Sequence, residues 1–401
     1  MRYQVPIAAP YLLSVSVPTL VDANGVRWCN ELWAKDLRLH TEYLTNLTVI
    51  APRIFGEPSA SDMPIEIEGL HFVDLPAPRN HFEAVRILPA TISMVWSAVS
   101  RSAIVHTGFG GWPIAEGWVV TPIAKLRRRF LITNVESSFW RVPRTASLIR
   151  RARAAVAERL NRGCVSLADL RLFTSKAYAR EFLGDKQTRA HVISATWIND
   201  DWVLNRDQAR TAWETKRGPV RLLFAGRLIE DKGVQILLRA ISDLRGKVVI
   251  TIIGEGPLKD ACKASPANVL DPMPYGEPFL ELVRGYDAVL IPSLSHEQPR
   301  LIFDAFSQAV PVIGSATGGI AEIVEHMTSG VLVAPGRADS LREVILWAAH
   351  NRDRLRTMGI AARASCQRFT HLEMHRRRYA ILLASLDGYR PVTLQSNARR
   401  C

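Results

Sequence analysis

Twice along this chain, short apolar runs of strand length alternate with stretches of helical length, and this alternation restricts the fold more than any other feature. In the first half the runs are NLTVIAP (46–52), LHFVDLP (70–76), SAIVHTG (102–108) and RFLITNVES (129–137). They follow NELWAKDLRLHTEYL (30–44), where Leu32, Trp33, Leu37, Leu39 and Leu44 recur at helical spacing. In the second half they are VRLLFAG (220–226), VVITIIG (248–254), AVLIPS (288–293), VPVIGS (310–315) and GVLVAP (330–335). Strands separated by helices of this length call for right-handed crossovers and parallel pairing. The expectation is an α/β chain of two doubly wound domains facing one another across a cleft, and 401 residues are more than one core usually serves.

The two series are separated by 199–218, rich in Asp, Arg, Trp and Thr. This places a first domain over 1–200, a connector over 201–218, a second domain over 219–370 and a terminal helix and tail over 371–401. The helical pattern THLEMHRRRYAILLASL (370–386) can pack across the junction, and disorder is expected only in the last few residues.

The net charge of +13 asks for an anionic partner, whether a nucleotide, a phospholipid surface or nucleic acid. Aromatic residues do not interleave with the basic runs, which argues against nucleic acid. Cys29, Cys164, Cys262, Cys366 and Cys401 are odd in number and form no CxxC or Cys/His metal pattern, so free thiols in a reducing cytoplasm and no metal site are expected. MRYQVPIAAPYLL lacks the pattern of a signal peptide. The run ILPATISMVWSAV (87–99) is shorter than the ~20 residues of a spanning helix and contains Pro89, so no transmembrane segment is expected.

The chemistry concentrates between residues 222 and 333, at the carboxyl ends of the second strand series, where open α/β sheets bind ligands. FAGRLIEDKG sets Gly226, Arg227 and Lys232 around a short loop before a helix, an arrangement suited to a diphosphate, although a solvated loop with incidental basic residues reads equally from the spacing. IIGEGP offers Gly254, Gly256 and Pro257, either a nucleotide-binding turn or a tight strand-to-helix turn of any α/β protein. In HEQPRLIFDAF, Pro299 opens a helix, leaving Glu297 in the loop and Asp304 on the helix. Two carboxylates there can accept hydrogen bonds from the hydroxyls of a sugar and a ribose, or can be acids favoured by the helix dipole. Thr317, Gly318 and Gly319 form a second glycine loop before Glu322, where backbone N–H groups can approach an anion.

These pieces, in this order, resemble the C-terminal domain of retaining GT-B glycosyltransferases of family 4, over about residues 218–390, with a looser likeness before that. The resemblance implies that Arg227 and Lys232 bind a donor diphosphate and that Gly226, Gly254, Gly256 and Pro257 line the donor site. It places Asp304 at the second acid of the family's E-x7-E element, on the nucleoside ribose. His296 stands where the first Glu belongs and Glu297 lies one residue later, while the usual FG is missing, with Pro299, Arg300 and Leu301 following. His296, Glu297, Arg300, Leu301, Gly318 and Gly319 are therefore counted with the donor site. The departures put the sugar in question and leave the diphosphate site intact.

In the first half, Asn24 and Gly25 form a turn before Trp28. In the resembling enzymes this loop reaches donor phosphate or acceptor, and an ordinary turn glycine is the alternative. His106 ends an apolar run beside Gly108, Gly110 and Gly111, whose lack of side chains keeps the loop open. It is a candidate for hydrogen bonding to donor sugar or acceptor, or a structural histidine. Glu136, Ser137 and Ser175 are cleft candidates by position. KLRRRF (125–130) and RVPRTASLIRRARAAVAERLNR (141–162) concentrate arginines, seven in the second stretch against Glu158 alone, with Leu148, Ile149, Ala152, Val156 and Leu160 as an apolar set. This basic amphipathic segment is either a bilayer-surface element or a solvated helix face.

The expected function is sugar transfer with retention from a nucleotide sugar, without metal, to a glycan or lipid-linked acceptor of cell-surface polysaccharide assembly. The chain is expected in the cytoplasm or peripherally at the inner membrane face. A nucleotide-sugar epimerase or phosphorylase on the same fold, and a binding-only protein, are the alternatives.

Overall fold

Long-range pairing turns the apolar runs into two sheets. The computed structural model describes residues 3, 5–59, 61–111, 114–142, 146–184, 189–244 and 246–387. Unit 1 comprises Met1–Phe173, Ala179–Ile193 and His375–Cys401, and unit 2 comprises Thr174–Tyr178 and Ser194–Met374. Cys401 and the tail expected to be disordered lie outside the described residues.

Unit 1 holds strands β1 (Tyr11–Ser14), β2 (Thr19–Val21), β3 (Arg27–Asn30), β4 (Leu47–Phe55), β5 (Asp62–Pro64), β6 (Leu70–Pro76), β7 (Ile104–Gly108), β8 (Phe130–Val135), β9 (Leu170–Phe173) and β10 (Ala190–Val192). Its helices are α1 (Glu31–Thr41), α2 (His81–Ser100), α3 (Gly117–Leu126) and α4 (Leu148–Leu167), followed by α5 (Lys176–Leu183), which starts in unit 2. Strands run in the order β10-β9-β8-β7-β1-β4-β2-β3-β5, with β6 also on β4. Pairing is parallel except for β2 with β3 and β3 with β5, a small antiparallel addition that apolar runs do not announce. One face of the sheet buries Leu12, Ile50, Val105 and Leu131 against Val95 and Val99 of α2 and Val120 of α3.

The run at 87–99 is part of the 20-residue α2, which continues through Pro89 and is, by length and composition, apolar enough to cross a bilayer. Its Ala84, Val95, Ala98 and Val99 are buried in unit 1.

Unit 2 holds β11 (Arg221–Ala225), β12 (Val249–Ile253), β13 (Asn268–Leu270), β14 (Ala288–Ile291), β15 (Val312–Ser315) and β16 (Gly330–Val333). Its helices are α6 (Arg206–Glu214), α7 (Val234–Ile241), α8 (Lys259–Lys263), α9 (Glu277–Arg284), α10 (Leu301–Ser307), α11 (Gly318–Ala321), α12 (Ala338–His350) and α13 (Arg352–Cys366), with α14 (His371–Leu386) leaving for unit 1 at His375. All strands are parallel, ordered β13-β12-β11-β14-β15-β16, so the winding reverses between β11 and β14. Residues 201–218, read as a connector, fold within unit 2: α6 buries Trp213, whose indole N–H donates to the Ala309 carbonyl at 2.8 Å.

The chain end completes unit 1. Burial holds the His375 ring far below the usual histidine range, so it is neutral. Its Nε2 lies 3.0 Å from Asp36 Oδ1 and its Nδ1 3.2 Å from the Tyr43 hydroxyl, so the ring donates to Asp36 and accepts from Tyr43. Buried Arg378 contacts His40 Nε2 at 2.9 Å, and the Tyr379 hydroxyl donates to the Val5 carbonyl at 2.9 Å.

Candidate functional site

The reversal of winding between β11 and β14 leaves a crevice at their carboxyl ends, the place where open parallel sheets seat ligands. The loop after β11 carries Gly226, Arg227 and Lys232; the loop after β14 carries Ser295 to Arg300. Lys232 Nζ and the Glu297 carboxylate form a partly buried ion pair, so residues 65 apart in sequence meet at this crevice. Burial, followed by repulsion from Arg227 and Arg300, pushes the Lys232 ammonium down to about 8, against the opposing pull of Asp231. Arg227 is exposed and, among the described residues, its guanidinium has no ion-pair partner. Arg227 and Arg300 thus act on Lys232 as like charges, with Glu297 and Asp231 the acids beside it, an arrangement that an anion would relieve.

Gly254, Gly256 and Gly319 lie against neighbouring backbone, whereas nothing lies within 4 Å of a Cβ on Gly226. A Cβ on Gly254 would lie 1.9 Å from the Gly226 carbonyl oxygen, and one on Gly256 2.6 Å from that of Leu228. The β11 and β12 loops are held together there, with Gly226 N–H donating to Ile253 O at 2.9 Å and Leu228 N–H to Glu255 O at 2.8 Å. Pro257 follows on the surface. Likewise a Cβ on Gly319 would strike the Glu297 and His296 carbonyls, and the Gly318 N–H already donates to His296 Nδ1 at 3.2 Å. The second glycine loop therefore seats the 296–297 segment, and its first amide is not free for an anion.

Asp304, on α10, is buried and accepts a 2.7 Å hydrogen bond from the Tyr275 hydroxyl. Burial raises its carboxyl to about 7, against the lowering effects of that bond and of Arg300. Arg300 caps α10 and lies over the Trp197 ring at 5.6 Å, and half-buried Leu301 begins the helix. Polar atoms remain to be satisfied at this corner: among the described residues Ser295 Oγ, both amide atoms of Gln298 and Thr317 Oγ1 are buried without a partner. Buried polar groups are normally paired, so these four atoms are unmet donors and acceptors at this corner. Gln298 and Tyr275 were not singled out from the sequence; no local pattern distinguishes a loop glutamine or a tyrosine 29 residues away from its carboxylate.

Other expected site residues serve the scaffold. His106 does not stand at an open strand end: it is 4% exposed inside β7, with Nδ1 2.9 Å from the Tyr11 hydroxyl, and burial holds it well below the usual histidine range. The loop after it is not open either, since a Cβ on Gly110 would strike Ser16. Ser175 is fully buried and accepts from the Tyr178 N–H at 3.2 Å, capping α5. Glu322 strengthens that cap, its carboxylate accepting from the Lys176 and Ala177 amides at 2.7 Å each. Gly25 occupies the turn of the β2–β3 hairpin at φ +80°, with Asp22 accepting from the Asn24 and Val26 amides. Glu136 is exposed and accepts from Asn134 Nδ2 at 2.7 Å, beside half-buried Ser137.

The basic segment folds as α4, preceded by Arg141. Glu158 binds Arg141 and Arg162, and Glu181 also binds Arg141. Leu148, Ile149, Val156 and Leu160 lie exposed beside exposed Arg150, Arg151, Arg153 and Arg159. Arg129 of the 125–130 run is turned inward, donating to the Ser100 carbonyl at 2.7 Å. Cys29, Cys164, Cys262 and Cys366 are buried free thiols.

Residues 219–351 match the family model of the glycosyl transferases group 1. The chain is 28% identical to the amylovoran biosynthesis glycosyltransferase AmsK of Erwinia amylovora over 42% of its own length and 45% of that protein's. It is 25% identical to the D-inositol 3-phosphate glycosyltransferase of Xylanimonas cellulosilytica over 83% of this chain and 81% of that one. The chain spans less than half the length of the first curated relatives it matches, with 33%, 45% and 32% of each covered. Among solved structures, HepE of Anabaena in complex with UDP and glucose superposes with a TM-score of 0.66 at 17% identity, over 94% of this chain and 100% of that one. The fold is therefore GT-B, two Rossmann-like units, as the strand series led one to expect.

Proposed function

We propose that this chain is a glycosyltransferase that moves a sugar, with retention of anomeric configuration, from a nucleotide-diphosphate sugar to a glycan or lipid-linked acceptor. The observation that carries this reading is the gathering of Arg227, Lys232 and Arg300 at the winding reversal of unit 2, where Lys232 pairs with Glu297 and is repelled by both arginines. A diphosphate placed there restores full charge to Lys232 and gives Arg227 its counter-ion. As the glycosidic bond breaks, negative charge grows on the leaving phosphate, and fixed cations meet it without rearrangement. The reading asks for no metal ion, because the protein's own cations supply that charge.

The unpaired Ser295, Gln298 and Thr317 atoms are the proposed partners of sugar hydroxyls, with Glu297 beside them, in place of the usual first acid of the E-x7-E element. No side chain is assigned as a covalent nucleophile. In the proposed mechanism the leaving phosphate takes the acceptor's proton on the face it departs from, which gives retention. The AmsK likeness supports a place in polysaccharide or glycoconjugate assembly. The exposed apolar and arginine-rich sides of α4 support peripheral attachment at a cytoplasmic membrane face.

A screen of nucleotide sugars by thermal stabilisation and by hydrolysis tests the reading, beginning with UDP-sugars because HepE is in complex with UDP. Stabilisation by one donor with slow release of its sugar is expected. Donor binding with neither transfer nor hydrolysis points to the binding-only alternative, and no stabilisation by any donor overturns the proposal.

A further inference from the structure

Unit 1 contains a cavity that the donor chemistry does not use. It opens at the carboxyl ends of β1, β4 and β6, beneath α2, with a cavity volume of about 80 Å³. That is smaller than the ~300–1,000 Å³ of typical small-molecule pockets, enough for one end of a ligand whose remainder lies in the open mouth. Ile87, Leu88, Thr91 and Val95, spaced to share one face of α2, line one side, and Leu75 and Val120 lie among the other lining residues. Apart from Glu116, no described lining residue is ionisable.

Glu116 immediately precedes α3. Its Oε2 accepts a 2.9 Å hydrogen bond from Ser14 Oγ, and its Oε1 is buried with no partner among the described residues. No charged group acts on it; burial alone raises its carboxyl to about 8, so at neutral pH it is an acid rather than a carboxylate. Because Oε2 already accepts from Ser14, the proton belongs on Oε1, where it needs an acceptor. The chemistry is therefore specific: mostly apolar walls with the Ser16 and Thr91 hydroxyls among them, no counter-ion, and one buried acid with an unpartnered oxygen.

We propose that this cavity binds an uncharged amphipathic molecule, an aliphatic body lying along α2 with a hydroxyl or carbonyl oxygen that accepts the Glu116 proton. An ammonium head is disfavoured by the chain's positive charge and would need Glu116 ionised among apolar residues; a carboxylate head would meet no cation. This site is independent of the donor reading, since its ligand needs neither nucleotide nor sugar.

The test is equilibrium displacement of the neutral fluorescent probe N-phenyl-1-naphthylamine from the full chain by 1-decanol, decanoate and decylamine, without nucleotide sugar. Decanol should compete best at pH 7 and lose about tenfold in affinity by pH 9 as Glu116 ionises through about 8. Glu116→Gln, which keeps a donor and the shape, should still bind decanol at pH 7 and show no loss at pH 9. Leu88→Trp, which fills the cavity, should abolish displaceable probe binding while far-ultraviolet circular dichroism stays unchanged. If Leu88→Trp fails to fold, the contrast between wild type and Glu116→Gln decides by itself. Decanol affinity that is flat with pH, a pH loss that persists in Glu116→Gln, or decylamine or decanoate binding as tightly as decanol would each overturn the proposal.

Discussion

The Tyr275 hydroxyl donates to Asp304 Oδ1 at 2.7 Å, inside unit 2. Burial, working against that bond, makes Asp304 an acid with a value of about 7, far above the ~3.9 of an unfolded aspartate. The folded state binds the proton more tightly, so this group's contribution to stability is complete at low pH and is lost as pH rises through about 7. Asp304→Asn, which cannot ionise and can still accept from Tyr275, should match wild type at pH 4 and exceed it at pH 8 by on the order of 1–3 kcal/mol. Urea unfolding at the two pH values measures this; equal differences at both would refute it.

Lys232 bears on binding rather than stability. With an ammonium value near 8, its charge disappears in a range where an ordinary lysine stays protonated. Affinity for nucleoside diphosphates, measured by calorimetry on UDP, GDP and ADP, should fall by roughly fivefold between pH 7 and 9. Lys232→Arg should remove that dependence because a guanidinium does not titrate there. Arg227→Ala should weaken binding about tenfold or more at every pH. Unchanged affinity in both Arg227→Ala and Lys232→Ala would remove the diphosphate site.

Gly254 tests whether the glycine turn is scaffold. A Cβ there meets the Gly226 carbonyl at 1.9 Å, so Gly254→Ala should cost on the order of 2–4 kcal/mol through backbone displacement. Gly246 has positive φ with open space around it, and Gly246→Ala should cost only about 1 kcal/mol. Thermal unfolding that ranks the two in the opposite order would show that the β11 and β12 loops are not held as described.

The exposed side of α4 predicts membrane attachment. The full chain should sediment with vesicles containing anionic phospholipid and much less with purely zwitterionic ones. Replacing Leu148 and Ile149 together by Glu should reduce sedimentation at least about fivefold without lowering the melting temperature, because both side chains are exposed. Equal sedimentation of the double variant would leave α4 a solvated face.

What could be read in advance were features written locally. β6 coincides with its apolar run, β7 and β8 lie within theirs, and the loops read as carrying Lys232 and Glu297 do meet in an ion pair. Features set by distant partners could not be read. Nothing in SAIVHTG says that His106 turns toward Tyr11, and nothing in LFTSK says that Glu322 will cap the helix that follows it. The glycines were visible, but whether their missing side chains admit a ligand or a neighbouring strand depends on which backbone lies opposite.

Because His375, Arg378 and Tyr379 pack into unit 1, its early residues are completed by residues made more than 300 positions later. A ribosome translating this chain would hold an unfinished first unit throughout the synthesis of the second. Asp36, His40 and Tyr43 would wait uncovered for more than 300 residues, so emergence of α14, rather than of the first sheet, starts the clock for the native state.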